Sequence, residues 1–202
     1  MKYSICVSGA AAGNTVGQSK QEAEEVGIAI ARAGHIITTG ATIGLPYHAA
    51  RAAHKEGGMS IGFSPATSLK EHVLKYRLPI GFYDFVNFTG LNYVGRDAYL
   101  VQSSDAVITI GGRFGTLHEF TTALENGTIC GVLLGSGGTA DVIEELMELL
   151  EAPHKHLVLY DKDPTSLVSK ITDKLDEQYK DIDTSEIAYQ WYLNDGGGKA
   201  SG

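Results

Sequence analysis

The sequence has 202 residues, 43% hydrophobic and 20% charged, with 25 glycines. That length holds one domain with a sizeable core and leaves no room for a second full domain, and the composition is that of a folded chain. A net charge of −8 argues against nucleic acid as a partner, which needs a basic face, while leaving room for a local positive pocket for one small anion.

Residues 3–8 read as a strand and 9–13 as a small-residue loop. Ser19 is placed to cap a helix in which Ala23, Val26, Ile30 and Ala33 recur at helical spacing, and Gly34 ends it. Residues 35–39 form a second strand and 40–44 a loop; Pro46 suits the first turn of a helix to about Glu56. A third strand at 59–63 leads into an irregular surface excursion at 64–79, then a fourth strand at 84–88. A helix at 92–103 and a fifth strand at 105–110 follow. After the turn at 111–116 a helix runs to about Asn126, followed by a strand at 128–134, a helix at 141–150 and a strand at 157–160. Asp163-Pro164 opens a last helix with a cap-then-proline start.

Strands alternating with helices imply right-handed crossovers and a doubly wound α/β fold, a mostly parallel, Rossmann-like sheet with helices on both faces. The apolar run at 106–110 fits a strand buried on both sides. Such folds bind ligands beyond the carboxyl ends of their strands, at a topological switch point. Residues 1–180 are expected to form the single nucleotide-binding domain and 181–202 a C-terminal extension. In that extension Ile187, Trp191 and Tyr192 can dock on the body or a second subunit, ahead of a flexible glycine-rich tail. Cys6 and Cys130 lie in apolar runs without metal-ligand spacing and read as reduced core residues. No leader pattern and no membrane-length apolar run is present, so a soluble, cytoplasmic protein is expected.

The loops after the strands carry the chemistry. Gly9-Ala10-Ala11-Ala12-Gly13 lacks the spacing G-x-G-x-x-G, and the second strand ends in Thr38-Thr39, where the ribose of NAD needs a carboxylate. No G-x-x-x-x-G-K-[ST] occurs, so a Walker-type ATPase is also excluded. Ser8 and Gly9, with Gly40 and Gly44 of the second loop, can still reach a ligand through small side chains and amides. The stronger signal runs from Ile110 to Glu119. Gly111, Gly112 and Gly115 let backbone approach an anion, and the helix start offers unpaired N–H groups and a positive dipole end. Thr116 adds a hydroxyl and Arg113 a charge. Thr116-Leu117-His118-Glu119 also fits a capping box, T-x-x-E, in which case Thr116 and Glu119 only fix the helix end. In Asn92-Tyr93-Val94-Gly95-Arg96-Asp97, a cap at Asn92 puts Arg96 near the end of a first turn, where a cation is disfavoured unless an anion binds nearby.

Together these residues resemble the LOG (lonely guy) family and its wider superfamily of Rossmann-like nucleotide-binding proteins, whose signature is P-G-G-x-G-T-x-x-E. Gly112, Gly115, Thr116 and Glu119 match it; Gly111 stands for the proline and Arg113 for the second glycine. Arg96 falls at the arginine of the family's Met-His-x-Arg-Lys segment, although its neighbours here are Val94, Gly95 and Asp97. Thr39-Gly40-Ala41-Thr42-Ile43-Gly44-Leu45 is similar to the family's G-G-G-x-x-G-L-M loop. The resemblance implies hydrolysis of the N-glycosidic bond of a nucleoside 5′-monophosphate, with Glu119 and Arg96 catalytic. Glu119 would serve the ribose and water, and Arg96 the phosphate or the departing base. It further implies a homodimer, with Tyr83, Phe85 and Tyr93 at the base pocket or the interface. Some relatives carry a lysine decarboxylase label, but nothing marks a pyridoxal phosphate site, and neither a cofactor nor a metal is expected. Many members of the superfamily bind without turnover, so the alternative is a non-catalytic sensor or carrier for a nucleotide or pterin-phosphate. A single-strand DNA-binding role, known for a related fold, is disfavoured by the acidic charge and the lack of a basic-aromatic stripe.

Overall fold

The computed structural model describes residues 1–152 and 154–182. Seven strands, β1 (Ser4–Gly9), β2 (Ile36–Thr39), β3 (Met59–Ser64), β4 (Phe85–Phe88), β5 (Ala106–Ile110), β6 (Ile129–Leu133) and β7 (Val158–Asp161), form one sheet. Every pairing is parallel, in the order β4-β3-β2-β1-β5-β6-β7. Parallel neighbours need crossovers, and helices supply them: α1 (Asn14–Gln18), α2 (Lys20–Arg32), α3 (Leu45–Lys55), α4 (Leu69–Leu74), α5 (Asn92–Gln102), α6 (Phe114–Glu125), α7 (Thr139–Leu149) and α8 (Pro164–Tyr179). The doubly wound fold expected from the alternation is the fold observed.

Strand alternation sorts the core. Ile5, Val7, Ile108 and Ile110 join α2, α3 and α8 on one face, whereas Cys6, Val107, Cys130 and Val132 join α5, α6 and α7 on the other. Each fully buried Ile or Leu contributes about 1.5–3 kcal/mol relative to exposure. Both cysteines are free and buried, as expected. Burial pushes the Cys130 thiol up to about 12 and raises that of Cys6 well above its ordinary value, which keeps both unreactive.

The same alternation puts Ser8, two residues beyond Cys6, on the α5–α6 side of β1. From β1 the chain winds outward to β2, β3 and β4; α5 then returns it to β5 on the other flank of β1. The loops after β1 and β5 therefore diverge, which opens a crevice at their carboxyl ends.

Several local expectations need correction. The 64–79 excursion contains α4, capped by Ser68, whose hydroxyl accepts from the Glu71 N–H at 3.2 Å. Buried His72 anchors it through the Ser64 hydroxyl at 2.8 Å and the Pro79 carbonyl at 3.1 Å. Six residues give too few apolar repeats for periodicity to reveal such a helix. Ser19 makes no side-chain cap; its hydroxyl donates to the Ser136 carbonyl, and α1 precedes it. Asn92 does not cap α5: its backbone is left-handed at φ 56° and its side chain accepts from the Tyr76 hydroxyl. Asp163 does cap α8, accepting from the Ser166 N–H at 2.7 Å. Ile187, Trp191, Tyr192 and the glycine-rich tail lie outside the described residues. Among the described residues no helix is long and apolar enough to cross a membrane.

Candidate functional site

A cavity of about 250 Å³ opens at the β1/β5 switch point. Of the residues expected from sequence, Gly9, Gly40, Arg96, Arg113, Gly115, Thr116 and Glu119 line it. Ser8, Gly44, Gly111 and Gly112 are not among its lining residues.

The turn after β5 is fixed from its far side. The Gly111 N–H donates to Ser136 Oγ at 2.8 Å, and the carbonyls of Gly111 and Gly112 accept from the Ala140 and Thr139 N–H groups at the start of α7. The Gly111 amide is thus committed, and its part in the site is conformational instead of a phosphate donor. Gly112 has φ 101°, and a Cβ there would lie 2.4 Å from the Thr116 side chain. Backbone conformation and close approach both demand glycine.

Helix α6 starts at Phe114, three residues earlier than the capping-box reading requires, with Arg113 as its cap residue. Its first closed bond runs from the Leu117 N–H to the Arg113 carbonyl at 2.9 Å. The N–H groups of Phe114, Gly115 and Thr116 consequently have no intrahelical partner, and they sit at the positive end of the helix dipole beside the cavity. Arg113 adds a cation at the cavity mouth.

Thr116 and Glu119 do not form a capping box. Glu119 faces the sheet, where one carboxylate oxygen accepts from the Ser8 hydroxyl and the other lies 3.3 Å from Arg96 Nη1. Arg96 comes from α5 and is 4% exposed. Its guanidinium lies so close over Gly40 that a Cβ there would fall 1.9 Å from Nη1, so glycine in the second loop makes room for the arginine. Arg96 Nη1 also lies 3.4 Å from Asp97 Oδ1, and Asp97 Oδ2 lies 3.2 Å from Nδ1 of half-exposed His118. Arg96 Nε is buried without an acceptor.

Asp97 and His118 were missed by sequence reasoning as site residues. Asp97 stood out only as a departure beside Arg96, and its pairing with His118 depends on the packing of α5 on α6, which no local pattern encodes. Tyr93 lines the cavity half-exposed. Tyr83 stands outside that lining, its hydroxyl 2.9 Å from Thr39 Oγ1, and Phe85 is exposed on edge strand β4, so neither borders the cavity.

Burial pushes the Glu119 carboxyl up to about 7; Arg96 opposes this and neighbouring Asp97 adds to it. Because the folded value lies above the ordinary glutamate range, this group favours the folded state fully below that range. Its contribution is lost as pH rises through about 7. Chemical denaturation of the wild type should therefore show stability falling between about pH 4.5 and 7, and Glu119→Gln should flatten that slope. An unchanged slope in the variant would contradict the assignment.

A family model matches residues 2–168. The chain belongs to the SLOG cluster4 family. The LOG-like resemblance of its motifs stands, within that superfamily. An Archaeoglobus fulgidus protein described only as uncharacterized is 30% identical over 133 residues, 66% of this chain and 79% of that protein. A molybdenum cofactor binding protein from Rippkaea orientalis is 27% identical, with a TM-score of 0.71 over 87% of this chain and 98% of that one. The molybdenum cofactor carrier protein of Chlamydomonas reinhardtii is 25% identical, with a TM-score of 0.69 over 86% and 98%. This SLOG cluster4 chain thus shares its fold with proteins whose names describe binding and carriage.

Proposed function

We propose that this chain is a binding protein, a carrier or sensor, for a phosphate-bearing nucleotide or pterin held at the β1/β5 switch point. One observation carries the reading. The cavity is bordered on one side by Arg113 and by Gly115 and Thr116, whose amides have no intrahelical partner, while the carboxylate expected to do chemistry is engaged by Ser8 and Arg96. An anion held by the amides gains from the helix dipole without requiring Glu119. The molybdenum cofactor binding and carrier proteins of similar fold support the same reading.

Hydrolysis of a nucleoside monophosphate remains the second reading, favoured by the contact of Arg96 with Glu119 in one cavity. Chromatographic assay for free base separates the two. The binder reading predicts ligand-induced thermal stabilisation that survives Glu119→Gln, with no base released by the wild type. Base release that Glu119→Gln abolishes would establish the hydrolase instead. The acidic chain is expected to give flat binding curves with single-stranded DNA at low salt.

A further inference from the structure

The floor of the cavity differs in character from its α6 side. It holds one guanidinium, Arg96, between two carboxyl groups, Asp97 and Glu119. A phosphate placed there would bring a third acidic group to a single buried cation, and like charges at close range in a buried site are strongly unfavourable. The phosphate therefore belongs at the α6 amides and Arg113, and the floor takes an uncharged, polar part of the ligand.

Its donor and acceptor pattern narrows that part. Arg96 borders the cavity, and a guanidinium carries five N–H donors. Arg96 Nη1 is already directed at Glu119 and Asp97. Both carboxyl groups border the cavity, and a carboxylate has more lone pairs than the contacts found here use. The floor thus presents a donor next to acceptors. Its complement is a carbonyl oxygen next to N–H groups. Tyr93, half-exposed on the same cavity, offers a ring face against which a flat heterocycle can stack.

We propose that Arg96, Asp97 and Glu119 read a heterocycle edge of carbonyl oxygen, ring N–H and amino group in a row, with Asp97 as the residue that sets specificity. The inference rests on the phosphate-binder reading above. Guanine and pterins share this edge. Adenine reverses it, putting an amino group toward Arg96 and a ring lone pair toward the carboxylates. Hypoxanthine keeps the carbonyl and ring N–H but lacks the amino group.

Calorimetric titration of the purified protein with guanosine, inosine and adenosine monophosphates and with hydroxymethylpterin phosphate tests this. The guanine and pterin ligands are expected to bind about tenfold tighter than inosine monophosphate and on the order of a hundredfold tighter than adenosine monophosphate. The tighter of the first two identifies the source of the edge. In Asp97→Asn the preference over inosine monophosphate should shrink while phosphate-dependent binding persists; the ligand series on the wild type decides the matter even if that variant fails to fold. Equal binding of all four would overturn the edge reading and leave the phosphate site standing. Binding of none would overturn both.

Discussion

Replacing Gly115 with aspartate is expected to stabilise the ligand-free protein and to abolish ligand binding. Gly115 lies in the first turn of α6 and borders the cavity, and an added Cβ there meets nothing within 4 Å. The fold has no objection to a side chain at this position. Leaving glycine behind in a helix gains up to about 1 kcal/mol, and a carboxylate near the amino end of the dipole adds roughly 0.3–1 kcal/mol. The same carboxylate occupies the anion's place and repels it, at a cost of several kcal/mol, so affinity should fall on the order of a hundredfold or more. Thermal melting with and without ligand reads both effects at once. A variant that still binds guanosine monophosphate or hydroxymethylpterin phosphate as tightly as the wild type would place the anion elsewhere.

Arg96→Met should be the most damaging single change in the site. Arg96 is the cation between Asp97 and Glu119, and all three are buried. Removing one partner of a buried ionic group leaves the others uncompensated, which typically costs about 3–5 kcal/mol. The loss should be largest above pH 7, where Glu119 is ionised, and should shrink as pH falls and Glu119 takes up a proton. Combining Arg96→Met with Glu119→Gln should recover part of the stability, because one of the stranded charges is removed. Urea denaturation at two pH values measures both. A destabilisation under about 1 kcal/mol at the pH above 7 would mean that the cluster is hydrated and not a buried ionic unit.

Much of this architecture was legible in the residue pattern because its signals are local. Alternating apolar runs and helical repeats locate all seven strands to within a residue or two, and Asp163-Pro164 marks a helix start by its own chemistry. The switch point follows from strand order, which right-handed crossovers constrain but do not fix; sheet pairing settles it. The candidate site was legible only in part. The glycines of 111–115 announce a turn near an anion, but T-x-x-E reads equally as a cap. The ambiguity lies in the rotation of Glu119 about α6: Ser8 on β1 and Arg96 on α5 turn it toward the sheet, and both contacts are distant in sequence. Asp97 and His118 were invisible for the same reason, since a helix–helix contact joins them. The short helices α1 and α4 are held by tertiary contacts such as Ser64–His72 that periodicity does not register.

The position of the bound phosphate tests the central claim most directly. A crystal structure of the protein with guanosine monophosphate or hydroxymethylpterin phosphate is predicted to place phosphate oxygens on the N–H groups of Phe114, Gly115 and Thr116, with Arg113 alongside and the edge of the ring toward Asp97. A phosphate seated instead against Arg96 between the two carboxyl groups, or outside the switch-point cavity, would contradict it.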